Sequence, residues 1–397
     1  MADDETYVFG SDAASLSELE LWKAASTSGD VGELRAFLAA YPSGPFAELA
    51  RLRLARESAG KNPVAASTCS DEGNARLADD HVGDVDLPEP SLDCGGQHSG
   101  RHDGLRRNIG RVVTVDATGK PADERRVEVT VEELDLGGAG SLELVAVEGG
   151  AFEMGASNAE ALAARRELQH AAAATALRWI LEEQPRRLVT VAAFRIAVAP
   201  VTQGQWAAVA SLPKAQIDLD PQPSSFQGAD HPVERVSWYD ATEFCERLSA
   251  ATGRTVRLPT EAEWEYACRA GAGSPFAFGE TLTPELATYQ CSEKFASGPR
   301  AASPEQTTAV GSHGVSNAFG LLDAHGNVWE WCRDWHARDT YSTTAVVNPR
   351  GPCSGTARVR RGGSWRTPPV FCRSAARFSA PPGFRNNDTG FRIVVES

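Results

Sequence analysis

No apolar run in this sequence reaches the length of a membrane span, so a transmembrane helix is not expected. The first residues, MADDETYVFG, carry no basic stretch followed by an apolar one, and no secretory signal is read there. Positive charge is short as well: 39 Lys+Arg stand against 53 Asp+Glu. That deficit argues against a basic groove for a nucleic-acid backbone and against docking on an anionic membrane. C-x-x-C spacing is missing from the 8 cysteines, which fit reduced thiols in a cytoplasmic protein better than a disulfide framework. What remains is ordinary globular material. The chain has 397 residues and 42% hydrophobic content, enough for two or three domains and a large core.

Residues 11–58 read as a small helical module. Ser15 and Glu18 form a capping box ahead of Leu19, Trp22 and Ala25 on one face. A second helix carries Leu34, Phe37 and Leu38, and a third opens at Pro45 with Phe46, Leu49, Ala50 and Leu54 in helical register. The module resembles short helical-repeat segments found beside bacterial peptidase-like domains, which implies packing or protein contact. Residues 59–105 are rich in Gly, Ser, Asp and Pro and read as a flexible acidic linker. Cys69, Cys94, His98 and His102 lie there at spacings that match no standard zinc finger. Residues 106–141 alternate weakly and suggest a β-hairpin around Thr118-Gly119 whose owning domain the sequence leaves open.

From 142 to 397 the signals sharpen into one domain. LELVAVEGGAFEMG reads as strand, Gly-Gly turn, strand, and RRLVTVAAFRIAVAPVTQGQWAAV as two strands and a helix capped near Thr202. VSWYDATEFCERLSAATG is an amphipathic helix capped by Ser237 and ended by Gly253, with Trp238, Ala241, Cys245 and Leu248 inward. RLPTEAEWEYACRAG repeats that logic with Thr260 and Glu263. The Ala-rich stretch 158–182 reads as one extra surface helix.

Four stretches occur in a telling order: FEMG at 152–155, RLPTEAEWEYA at 257–267, GLLDAHGNVWEW at 320–331, and RVRRGGSW…CRSAAR…GFR ending at Arg392. Together they resemble the formylglycine-generating enzyme, or sulfatase-modifying factor, family. The resemblance implies an α+β, C-type lectin-like fold of low regular secondary structure. Enzymes of that family oxidise a substrate cysteine to formylglycine with two copper-binding cysteines placed after the GGS-aromatic turn. Here Thr367 stands at the first of those positions. Cys372 lies five residues on, but its CRSAAR context matches a later stretch of the enzymes better, and on either alignment one thiol is missing at Thr367. Soft copper(I) wants two thiolates, so neither copper nor catalysis is expected.

The same segment is similar to the variable region of diversity-generating retroelement proteins, in which adenine misreading randomises chosen codons around a fixed frame. Pyrimidine-ended codons cannot encode Met, Trp, Lys, Gln or Glu, and 366–388 contains none of these five. Asn386 and Asn387 read as unaltered template positions. Within a variable region of about 360–392, the resemblance implies an outward ligand-binding face. Its members are Arg366, Thr367, Pro368, Val370, Phe371, Ala376, Phe378, Ser379, Ala380, Gly383 and Phe384. Arg361, Arg373, Arg377 and Arg392 are expected beneath it as frame. Asp323 and Glu330, with the carbonyls of Gly326 and Val328, offer hard oxygen ligands that suit calcium, or else cap a turn with no ion. His325 and His336 flank that segment without a metal-spaced partner. The expected role is a variable protein binding a macromolecule, most naturally a protein. The alternatives are an oxidase acting on a protein cysteine and an inactive scaffold.

Overall fold

Alternating apolar and polar residues build the first sheet. In the computed structural model, which describes residues 31–40, 51, 105–136, 140–168, 173–338 and 344–396, the short helix α1 (Val31–Ala40) comes first, with Leu34 and Phe37 buried. The other two helices expected in 11–58, and the linker with its Cys and His residues, lie outside the described residues. Strand β1 (Leu105–Val115) pairs antiparallel with β2 (Pro121–Asp135), joined through Thr118-Gly119. Asp116 shapes that turn by accepting from the Thr118 and Lys120 amides, and Gly119 takes φ 85°, which glycine tolerates best. β2 then pairs with β3 (Ser141–Val147), so the hairpin is part of the main sheet.

Beyond the Gly-Gly turn the chain leaves that sheet. β4 (Gly150–Met154) runs into α2 (Asn158–Glu167) and α3 (Ala173–Glu182), and then β5 (Arg187–Val191) and β6 (Phe194–Ala197) follow. The stretch expected as one surface helix is therefore two helices, and they pack inward, with Ala161, Ala164, Ile180 and Glu183 buried. Its small alanines allow close approach, and its carboxylates find buried arginine partners that local periodicity cannot reveal.

The capped helices form where their caps stand. α4 (Gln203–Ala210), α5 (Trp238–Thr252) and α6 (Glu261–Arg269) begin at capping boxes built on Thr202, Ser237 and Thr260. α5 ends on Gly253 at φ 69°. β7 (Val256–Arg257) precedes α6, and β8 (Trp329–Trp335) follows a long irregular stretch. The chain closes through β9 (Val346–Val347), β10 (Arg358–Arg361), β11 (Arg377–Ala380), β12 (Thr389–Gly390) and β13 (Val394–Val395). These strands make a six-stranded sheet, β1-β2-β3-β6-β13-β7, a four-stranded sheet, β11-β10-β8-β12, and a three-stranded sheet, β4-β5-β9. Trp206 stacks on Phe244 at 5.7 Å beneath α4 and α5, and Phe391 meets both edge-on. Among the described residues no helix is long and apolar enough to cross a membrane.

Candidate functional site

The segment 360–392 is held by a turn that needs its glycines. Gly362 and Gly363 sit at φ 96° and 78°, and a Cβ on Gly363 would fall 2.4 Å from the Cys372 sulfur. The Ser364 hydroxyl meets that of Thr367 at 2.7 Å, and Trp365 Nε1 donates to the Asn387 carbonyl at 3.1 Å. Arg366 Nε donates to Asp388 at 2.9 Å, which ties the two ends of the segment together. A single 3-10 turn, Pro369–Phe371, carries the chain over to Cys372.

Beneath it lie the frame arginines, each fully buried. Arg361 donates to the Ala375 and Ala376 carbonyls and to Glu265. Arg373 forks onto Glu183 at 2.7 and 2.8 Å and reaches Glu160 at 3.0 Å. Arg377 forks onto Glu261 at 2.7 and 2.8 Å. Arg392 grips Glu330 at 2.6 and 2.7 Å and donates to the Ala197, Val198 and Leu322 carbonyls. Each guanidinium thus meets a carboxylate as well as backbone oxygens, and a fully paired buried charge is the only kind a fold tolerates cheaply.

The outward face is smaller than expected. Thr367, Val370, Phe371, Ala376 and Ala380 are buried, contrary to their assignment to a displayed surface. Trp179 of α3 covers Phe371 and part of Phe378. Its ring lies 5.6 Å from Phe371 and 4.2 Å from Phe378, and Phe378 also meets Trp329 at 4.6 Å and Phe371 at 5.2 Å. Arg366, Gly383 and Phe384 are exposed, and Pro368, Phe378 and Ser379 are half-buried. Arg385 is exposed too and forks onto Asp240 at 2.7 and 2.9 Å. Sequence reasoning missed Trp179. Its signal was a lone tryptophan in an otherwise alanine-rich helix.

The thiols are withdrawn from solvent. Cys245, Cys268, Cys291, Cys332 and Cys372 are free and buried. Burial drives the Cys372 thiol far above its ordinary range, and Cys268 up to about 12. Cys353 departs from the expectation of reduced cysteines, because it is disulfide-bonded. His325 is a packing residue: Nδ1 meets the Cys372 carbonyl at 2.7 Å, Nε2 takes the Ala277 amide at 3.0 Å, and burial lowers its pKa to about 4.

The calcium expectation at Asp323, Gly326, Val328 and Glu330 meets a geometry of a different kind. Both Glu330 oxygens are taken by Arg392, and one also accepts the Trp264 indole N–H at 2.8 Å. Asp323 accepts the Gly311 amide at 2.6 Å, and desolvation raises its pKa, which favours the neutral acid. Glu330 therefore stands in an ion pair with Arg392, and a calcium ion at these residues would have to share that carboxylate with the guanidinium. Among the described residues no group of three or more His, Cys, Asp or Glu side chains is arranged to hold a metal.

One buried acid yields a stability test. Asp334 is pushed up to about 7, first by burial and then by Glu261, although its carboxylate accepts the Glu261 amide at 2.9 Å. Its folded pKa lies above the unfolded one, so stability is lost as pH climbs from about 4 to about 7, and the loss is complete and constant above that. Asp334→Asn keeps an acceptor and removes the charge. Thermal unfolding at pH 8 should show a gain on the order of 2 kcal/mol that vanishes near pH 4.

Comparison with known proteins follows the same outline. Residues 139–397 match the family model described as the sulfatase-modifying factor enzyme 1-like domain. A formylglycine-generating enzyme from Streptomyces coelicolor is 41% identical over 175 residues, covering 42% of this chain and 54% of that protein. The matched stretch spans about half the length of the first curated relatives. Among solved structures, Treponema denticola variable protein 1 aligns with a TM-score of 0.52 at 24% identity, covering 67% of this chain and 99% of that one. PvdO from Pseudomonas aeruginosa aligns with a TM-score of 0.51 at 26% identity, covering 67% and 98%. The fold expected from the sequence is the one these likenesses support.

Proposed function

Since the chain belongs to the sulfatase-modifying factor enzyme 1-like family, we propose that it uses that scaffold to bind rather than to catalyse, as the ligand-binding variable protein of a diversity-generating retroelement. The observation that carries this reading is the division of 366–388 into two sets. Cys372, Arg373, Ser374, Ala375, Ala376 and Arg377 are sealed, whereas Arg366, Pro368, Phe378, Ser379, Gly383 and Phe384 reach solvent. Pro368, Ser379, Gly383 and Phe384 can change without breaking a buried ion pair. Arg366 and Phe378 keep one face on Asp388 and the aromatic cluster, and the sealed set is fixed by its core contacts. Arg366 and Phe384 suit recognition of a protein, since arginine and aromatic side chains anchor interfaces.

An oxidase of the formylglycine-generating type is the second reading, favoured by the identity to the Streptomyces enzyme. It needs a pair of thiolates that a protein substrate can reach. Thr367 is a hydroxyl at 7% exposure, and Cys372 is fully buried.

The test is population sequencing of the DNA encoding 360–392. Substitutions should gather at Arg366, Pro368, Phe378, Ser379, Gly383, Phe384, Asn386 and Asn387, derive from template adenines, and spare Cys372, Arg373 and Arg377. Uniform drift across the segment, or an unvarying segment with no adenine-bearing near-copy in the genome, would sink the proposal.

A further inference from the structure

The α2–α3 pair does more than cover the aromatic cluster. Between α3, the turn after β8 and strand β11 lies a cavity of about 430 Å³. Arg178, Trp179 and Glu182 line it from α3, His336 and Arg338 from the turn, and Phe378 with Ser379 from β11. A space of this size holds one or two side chains, not an extended polymer.

Its charges are uneven. Glu182, nearly buried, is the acid among these lining groups, and Arg178 Nε reaches it at 3.2 Å, His336 Nε2 at 3.1 Å and Arg338 Nε at 3.6 Å. Among the described residues that line it, two guanidiniums stand against one carboxylate, a positive excess. Both remain partly open, with side-chain exposures of 32% for Arg178 and 50% for Arg338. Each therefore keeps unused N–H donors for a second acceptor, and a guanidinium fork fits a carboxylate. Trp179 and Phe378, 4.2 Å apart, supply an apolar wall beside that fork. The chain as a whole carries a net charge of −14, so a polyanion such as a nucleic acid is repelled at long range while a single acidic group can still enter.

Resting on the binding reading above, we propose that this cavity is the anchor for an acidic peptide segment of the protein partner. One Asp or Glu carboxylate is taken by Arg178 and Arg338, and the neighbouring apolar side chain lies on Trp179 and Phe378. Arg178, Trp179 and Arg338 stand outside the variable segment, whereas Phe378 and Ser379 lie within it. The arrangement pairs a constant anionic anchor with a changeable second contact. Diversification then alters which neighbour is preferred without losing the grip on the acid.

Calorimetry with capped dipeptides tests this directly. N-acetyl-Asp-Phe-amide should bind, and N-acetyl-Asn-Phe-amide should bind at least about tenfold more weakly, because a charge-assisted pair is lost. The Arg178→Gln/Arg338→Gln variant should erase that preference. Ser379→Trp, which fills the space without touching an ion pair, should block both probes at an unchanged Tm. Equal binding of the two dipeptides, indifference to the arginine changes, or no binding by either probe overturns the assignment. Inorganic phosphate competing as well as the Asp dipeptide does so too, since the site is then a general anion site. Adenine-restricted variation with no dipeptide preference would leave the variable-protein reading standing and remove only this anchor.

Discussion

Arg373→Met is expected to lower the unfolding free energy by roughly 3–5 kcal/mol, read from the urea midpoint at pH 7. The side chain is fully buried among Glu160, Glu183 and the Val370 carbonyl, at 3.0, 2.7 and 2.6 Å. Burial already pushes Glu183 upward in pKa, and Arg373 is the main group opposing it. Taking the guanidinium away strands two carboxylates in a dry interior, which costs far more than the pair itself contributed. The change therefore reports on docking of α2 and α3, because Glu160 lies in α2 and Glu183 directly follows α3. Changing Glu160 and Glu183 to leucine in the same background should recover most of the loss, since an apolar replacement removes the unpaired charges. A free-energy change of less than about 0.5 kcal/mol would mean that water reaches the cluster and that α2 and α3 are not packed as described.

Cys372 is expected to react with iodoacetamide at least about a thousandfold more slowly in the native protein than in urea, followed by mass spectrometry of the alkylated peptide. The thiolate is the reactive form, and burial moves the Cys372 pKa far upward. The sulfur sits against Gly363 and within 3.7 Å of the Thr367 and Pro368 carbonyls, a polar but closed lodging. In a parallel assay, oxidation of a cysteine-containing peptide with copper present should stay at the uncatalysed rate. Rapid native labelling of Cys372, or peptide turnover abolished by Cys372→Ala, would return the chain to the oxidase class.

These two outcomes bear on what could be read from the chain alone. The helix starts were legible because their determinants are neighbours: Ser237 with Asp240 and Thr260 with Glu263 cap within three residues. The hairpin at Thr118-Gly119 was visible for the same reason. The frame arginines were recognisable as frame, but their acids were not, because Arg373 meets Glu160 and Glu183 across 213 and 190 positions. That same distance hid the covering of Phe371 by Trp179, so a face was expected where a core begins. The pairing of Glu330 with Arg392 was hidden in the same way, because 62 residues separate them. Local chemistry names what a side chain can do, and only the tertiary neighbours decide whether that capacity is already spent.

The place of β13 has a further consequence. Val394 pairs with Ile196 on one side and Arg257 on the other, so the main sheet stays in two parts until this strand arrives. It is made after every other strand described, and only a few residues past the segment held to vary. Truncation anywhere before Arg392 therefore removes both the arginine that grips Glu330 and the strand that joins β7 to the rest of the sheet. Such a chain leaves the ribosome unable to close and is exposed to proteolysis. The last-made strand thereby makes closure of the main sheet depend on a chain read in frame to its end.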